Sequence, residues 1–213
     1  MKRPYTIINC AASADGKIAL PIRRQTRISS QEDMRRVHAL RNSADAILVG
    51  IGTVLADDPK LTVKREFVKK ARNPVRIVLD SGCRIPGNAL VLNSEAKTLI
   101  VTSRRTKRKL GNAEILVCGK EGRVDLKRLM VRLRERGIGR LLVEGGGDAI
   151  YAFLREGLAD ELKIFVGNMV IGGKGPTVAG GEGAEDEDGI IPLELKKATR
   201  MKGGILLEYL VIK

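Results

Sequence analysis

Five short apolar runs constrain this chain more than any other feature: AILVG (46–50), VRIVLD (75–80), TLIVT (98–102), EILVC (114–118) and RLLVE (140–144). Each reads as a strand buried on both faces, the pattern of a parallel sheet covered by helices. Helical patterns lie between and after them. In SSQEDMRRVHALRNSAD, Ser29 and Glu32 have the spacing of a capping box, and Met34, Val37, Leu40 and Ala44 trace one apolar stripe. In DLKRLMVRLRERG, Leu126, Leu129, Met130 and Leu133 fall at helical spacing and Gly137 supplies the stop. GGGDAIYAFLREG opens on a glycine turn and carries Ile150, Phe153 and Leu154 inward. Residues 5–11 form an expected first strand, left through the turn SADGK (13–17). By contrast GTVLADDPKLTVK (52–64) reads as neither helix nor strand, a turn centred on Asp57, Asp58 and Pro59.

The last third changes character. ELKIFVGNMVIGG is a strand entering a loop, and LELKKATRMKGGILLEYLVIK is a hairpin turning at Gly203 and Gly204. GGEGAEDEDG between them lacks the ligand spacing of a calcium loop and reads as a solvated loop. The expected fold class is therefore α/β, with a central, mostly parallel sheet flanked by helices and a C-terminal antiparallel hairpin. At 213 residues and 43% apolar content, one domain over 1–213 is expected. Aromatics make up only 3% and Trp is absent, so the core must come from Ile, Val, Leu and Ala.

A net charge of +14 attracts polyanions, which brings nucleic acid into view. The basic residues are spread along the chain, interleaved with Glu, and lack the aromatic partners on which single strands stack. A phosphorylated small substrate uses the same field, so no nucleic-acid partner is expected. Abundant Lys, Arg and Glu with no Trp also resemble the surface of a heat-adapted, thermophile protein.

Cys10, Cys83 and Cys118 form no CxxC, and His38 is the only histidine, so no metal site is expected. His38 itself reads as an ordinary, partly buried histidine beside the apolar stripe. Widely spaced cysteines suit a reducing, cytoplasmic setting. MKRPYTIINCAASADGK makes a poor signal peptide, since its apolar run contains Asn9 and alternates like a strand, and no run is long enough to span a membrane. The chain has no GxSxG elbow and no GxxxxGKS/T loop. A serine hydrolase and a P-loop nucleotidase are thereby set aside.

Three glycine-bearing turns fall at expected strand ends: SADGK, GIGT after residue 49, and EGGGDA after residue 143. Neither GIGTVL nor GGGDAI completes a Rossmann fingerprint. Ligands of α/β sheets nevertheless bind at the carboxyl ends of strands. Three such turns together suggest a dinucleotide whose pyrophosphate meets backbone N–H groups at more than one loop.

ASADGKIA, ADAILVGIGTVLADDPKLTVK, PVRIVLDSGCRIP and LLVEGGGDAIYAFLREGLADEL, in this order and spacing, closely resemble the pyrimidine reductases of riboflavin biosynthesis. The resemblance implies the dihydrofolate-reductase-like fold. The absent His-x-Glu and Pro-Cys-x-x-Cys motifs match the stand-alone archaeal and fungal type rather than the deaminase fusions. That type reduces the ribosyl side chain of 2,5-diamino-6-ribosylamino-4(3H)-pyrimidinone 5′-phosphate to ribityl with NADPH, NADH being the alternative cofactor, and pairs as a homodimer. The alternatives are the deaminated pyrimidinedione substrate, a dihydrofolate-type reductase and, remotely, a nucleic-acid-binding protein.

Carried onto this sequence, the resemblance implies cofactor contacts at Ala11, Ile18, Thr53, Asp57, Ser81, Gly82, Gly145, Gly146, Gly147, Asp148, Ala149 and Ile150. It implies substrate contacts at Arg41, Leu61, Lys64 and Glu144, with Lys17 and Glu144 nearest the reacting centre. Asp57 is expected to stay ionised among positive neighbours, Asp58 to fix its turn by local side-chain bonding, and Leu61 and Lys64 to point toward the substrate. The family more often has Arg where Lys64 stands, and Arg65 can share its task. Gln25 and Arg27 replace a serine and a tryptophan of the fused enzymes. From charge alone, SRRTKRK (103–109) is the expected site of the NADPH 2′-phosphate.

Overall fold

The computed structural model describes residues 2–22, 26–120 and 122–212, and Gln25 lies outside these. The described chain divides into two compact units, each discontinuous in sequence: 1–5 with 38–142, and 6–37 with 143–213.

In the first unit four of the five apolar runs form parallel strands. They are β2 (Ala46–Gly50), β3 (Val75–Leu79), β4 (Thr98–Thr102) and β5 (Glu114–Val117), paired in that order. Ile47, Leu48, Ile77, Val78, Ile100 and Val101 are sealed from solvent, as continuous apolar runs require. Helix α3 (Leu126–Glu135) buries Leu126, Leu129, Met130 and Leu133, the residues its spacing predicts. Asp125 caps it by accepting from Arg128 N at 2.9 Å, and Gly137 leaves it at φ +82°. A two-stranded ribbon, β6 (Gly119–Lys120) with β7 (Arg123–Val124), lies between β5 and α3.

One polar residue is locked into this core. Arg76 on β3 has no exposed surface. Its guanidinium donates to Thr98 Oγ1, Asn93 Oδ1, and the carbonyls of Asn93, Ala96 and Lys60 at 2.5–3.3 Å. Burial lowers its pKa, with Glu95 acting in the opposite sense. An arginine does not shed its proton in a protein, so these acceptors are what make the burial tolerable.

The second unit begins with β1 (Tyr5–Ser13), whose first residue belongs to the first unit. Strand β1 runs parallel to β9 (Glu161–Gly167), and β9 pairs antiparallel with β11 (Gly204–Val211). The terminal hairpin joins β11 to β10 (Leu193–Met201), with a bulge between Leu195 and Lys197. Its turn is Lys202–Gly203, one residue earlier than the sequence suggested, because Gly204 already pairs with Met201. Strand β8 (Arg140–Gly145) and helix α1 (Gln31–Ser43) each start in one unit and end in the other. Helix α4 (Gly147–Arg155) follows β8 and buries Ile150, Phe153 and Leu154.

Two local expectations are corrected. The cap of α1 is Ser30 rather than Ser29: Ser30 Oγ accepts from Asp33 N at 3.2 Å, while Glu32 reaches Lys202 N. Part of the 52–64 stretch is helical, since α2 spans Ile51–Asp57 and buries Ile51 and Val54. Seven residues with one glycine carry too short a period to be read from pattern.

Candidate active site

The strand ends carry the expected turns. SADGK follows β1, the start of α2 follows β2, Ser81 and Gly82 follow β3, and the glycine run closes β8.

In the second unit the loop expected after ELKIFVGNMVIGG joins two of these turns, a contact the sequence reading did not give. Residues 168–181 leave β9 and return along SADGK. Ala14 N donates to Met169 O, Ile18 N to Pro176 O and Val178 N to Gly16 O, and Lys17 bridges Thr177. The Asp15 carboxylate accepts from the amides of Ile171 at 3.0 Å and Gly172 at 2.7 Å, and from Ser13 Oγ at 2.6 Å. These bonds, led by Ser13, lower its pKa to about 2. The same loop lies against the glycine run. A Cβ on Gly147 would stand 2.6 Å from Thr177 O, and Gly181 N donates to Asp148 Oδ1 at 3.1 Å. Thr177 therefore stands beside both Lys17 and Gly147. The only sequence signal for this loop was its density of glycine around Pro176.

The remaining second-unit residues are placed as follows. Ala11 and Ile18 are half-buried on β1 and just after its turn, and Glu144 is half-buried on β8. Gly145 and Gly146 adopt φ +157° and +52°. Asp148 is exposed, Ala149 is buried, and Ile150 is 0% exposed with its N–H donated to Gly146 O.

In the first unit, Thr53 and Asp57 sit half-buried on α2. Burial raises the pKa of Asp57, opposite to the expected depression by positive neighbours. Asp58 ends α2 in the left-handed conformation at φ +40°, and its carboxylate accepts from Leu90 N at 2.7 Å. The side-chain bond of Asp58 is thus tertiary, not local, while its backbone N–H closes the helix on Val54 O.

Leu61 is buried, 3% exposed, at φ +51°, so its side chain presents little outward, contrary to expectation, while Lys64 is exposed. A left-handed leucine costs about 1–3 kcal/mol and persists only where its surroundings hold it. Here they do. Arg41 Nη1 donates to Thr62 O at 3.1 Å, Val63 N donates to Asn73 Oδ1 at 2.9 Å, and Lys64 N donates to His38 Nδ1 at 3.2 Å. The structure thus brings Arg41, Leu61 and Lys64 together. Lys64 Nζ lies 3.5 Å from Glu66.

Ser81, Gly82, Ser103, Arg104 and Gly122 line a cleft of about 200 Å³. Ser103 is tied to Ser81, donating to its carbonyl from Oγ at 2.9 Å. Gly119 packs so closely that a Cβ there would overlap Ser103 O. Cys10, Cys83 and Cys118 are free and buried, and burial pushes the Cys10 thiol up to about 12. Among the described residues no group of His, Cys, Asp or Glu is arranged to hold a metal, and no helix is long and apolar enough to cross a membrane.

Residues 4–207 match the RibD C-terminal domain family. The chain belongs to that family. The chain is 48% identical over 195 residues to the Archaeoglobus fulgidus 2,5-diamino-6-ribosylamino-4(3H)-pyrimidinone 5′-phosphate reductase, covering 84% of the chain and 88% of that relative. It is 44% identical over 215 residues to the reductase of the same name from Methanothermobacter thermautotrophicus, covering 98% and 99%. Among solved structures it superposes on a Thermotoga maritima diaminohydroxyphosphoribosylaminopyrimidine deaminase/5-amino-6-(5-phosphoribosylamino)uracil reductase with a TM-score of 0.85 at 27% identity. That match covers 99% of this chain and 57% of the bifunctional protein. The chain thus has the dihydrofolate-reductase-like α/β fold: strands mostly parallel, flanked by helices, with a C-terminal antiparallel pair.

Proposed function

We propose that this chain, acting as one reductase domain over 1–213 in the cytoplasm, reduces the ribosyl side chain of 2,5-diamino-6-ribosylamino-4(3H)-pyrimidinone 5′-phosphate to ribityl with NADPH. The observation that carries the reading is near end-to-end similarity to a reductase of that name, 44% identity over 98% of this chain and 99% of the relative.

When bound, a reduced nicotinamide supplies a hydride, here to C1′ of the open-chain imine of the ribosylamine. The chain's own residues bind and orient, and positioning supplies most of the rate. Thr53, Asp57 and the Gly145–Ile150 turn are assigned to the dinucleotide, together with Ala11 and Ile18. The cleft at Ser81 and Gly82 takes its adenosine end. The Arg104 guanidinium and the Ser81 hydroxyl would suit a 2′-phosphate, which favours NADPH over NADH. Arg41 and Lys64 anchor the substrate phosphate, with Leu61 setting the backbone between them. Glu144 orients the ribose or pyrimidine, and Lys17, whose main chain bridges Thr177, delivers the proton to the imine nitrogen bonded to C1′. Pairing as a homodimer belongs to the same proposal. Leu193 and Leu195 on β10 are exposed apolar residues suited to it.

The test runs C4-deuterated NADPH against the diamino and the deaminated ribosylaminopyrimidine phosphates side by side. Deuterium at C1′ of the diamino product is expected, with a preference for NADPH over NADH that Arg104→Ala removes. Label at another carbon, or turnover of the deaminated compound alone, overturns the assignment.

A further inference from the structure

His38 has no role in the reaction as assigned, yet the segment that carries Lys64 is built upon it. It lies on α1 one turn before Arg41 and is 1% exposed. Its Nδ1 accepts the backbone N–H of Lys64 at 3.2 Å, across 26 positions of sequence. A neutral imidazole that accepts at Nδ1 carries its proton on Nε2. The ring also stacks on Phe67, centroids 4.9 Å apart and planes 20° apart. Phe67 in turn lies beneath the Lys64 ammonium, 5.9 Å from ring centre to Nζ. The peptide connecting them is closed by bonds from Phe67 N and Val68 N to Lys64 O at 3.1 and 3.2 Å. One imidazole thus holds Lys64 twice, at its main chain directly and at its side chain through Phe67.

We propose that His38 is a positioning residue for the phosphate end of the substrate. It fixes where the Lys64 charge stands, as Arg41 on the same helix face fixes Thr62. This rests on the assignment of Lys64 to the substrate phosphate. Lysine is a mobile point charge on a flexible stem, and a chain using it in place of a planar arginine fork gains from a rigid mount beneath it. A histidine that merely fills space requires neither the Nδ1 bond nor the aromatic stack under the ammonium.

The experiment measures KM and kcat of the full chain on two probes, the diamino ribosylaminopyrimidine 5′-phosphate and its 5′-dephosphorylated counterpart. Wild type, Lys64→Ala, His38→Phe and His38→Asn are compared. His38→Phe keeps a flat ring and loses the acceptor. It is expected to raise KM for the phosphorylated probe about five- to tenfold at unchanged kcat, and to leave the dephosphorylated probe unmoved. His38→Asn, whose side-chain oxygen can take the place of Nδ1 but which loses the stack on Phe67, is expected to raise KM for the phosphorylated probe about two- to fourfold, between wild type and His38→Phe. An unchanged KM in folded His38→Phe overturns the proposal, and so does a parallel rise for both probes, which marks lost packing. Should His38→Phe fail to fold, Phe67→Leu substitutes for it: a higher KM confined to the phosphorylated probe supports the mount, and no change overturns it. If Lys64→Ala leaves the preference for the phosphorylated probe intact, the phosphate assignment itself falls and takes the proposal with it. That outcome is distinct from one in which Lys64→Ala weakens binding and His38→Phe does not.

Discussion

The glycine turn after β8 and the Leu61–Lys64 segment are both irregular backbone, and they are held in opposite ways. At Gly146 and Gly147 the chain takes its path because side chains are absent: φ is +52° at Gly146, and Thr177 O occupies the space where a Cβ of Gly147 would stand. From Leu61 to Lys64 the chain takes its path because side chains from elsewhere reach in. Arg41, Asn73 and His38 each bind one backbone group of three successive residues. A backbone cradle of the first kind suits a pyrophosphate, which is recognised by N–H groups. A mounted segment of the second kind suits a single charge that must stand in one place.

If that contrast is right, breaking each region gives a different signature. The largest effect is expected from Arg76→Met, because Arg76 secures Lys60, at the entrance to the mounted segment, along with Asn93 and Ala96. Removing the guanidinium takes the donor from the buried Thr98 Oγ1 and from the partly buried groups of Asn93 and Ala96 at once, and is expected to cost about 2–3 kcal/mol in urea unfolding. A loss under about 1 kcal/mol contradicts the view that side chains support this region.

Gly147→Ala comes next. The added methyl meets the Thr177 carbonyl, which is main chain and cannot swing aside, so kcat/KM is expected to fall about a hundredfold through cofactor KM, with substrate KM little altered. A variant with wild-type cofactor KM removes the steric basis of the comparison.

The smallest effect concerns Asp15, which ties the 168–181 loop to SADGK. Its pKa is lowered from 3.8 to about 2, so the stability it contributes is fully present above the ordinary carboxylate value and is lost as pH falls through about 2. At about pH 3 the Ile171 and Gly172 amides are expected to stay protected from hydrogen exchange in wild type and to exchange faster in Asp15→Asn. Equal exchange in the two proteins at that pH shows that the carboxylate does not hold the loop.

The regular elements were legible because their causes are local. Apolar runs bounded by turns marked β2 to β5, helical spacing marked α3 and α4, and glycine marked the bend after β8. The same reasoning placed the cap of α1 one serine early and missed α2, where seven residues carry too little period. It also read Asp58 as fixing its own turn, whereas its carboxylate's partner is Leu90 N, 32 residues away.

The sequence by itself determined the layered α/β pattern, the glycine bends at strand ends and the family, because periodicity, turn chemistry and motif spacing act over a few residues at a time. Tertiary structure alone decided what holds Leu61 in a left-handed conformation, which loop lies against Lys17 and Gly147, and that His38 supports Lys64. Those outcomes rest on side-chain-to-backbone bonds and close approaches across 10 or more positions, as between Val63 and Asn73, 10 apart, and His38 and Lys64, 26 apart. No local pattern encodes such a meeting, since it exists only once the strands have paired and the helices have packed.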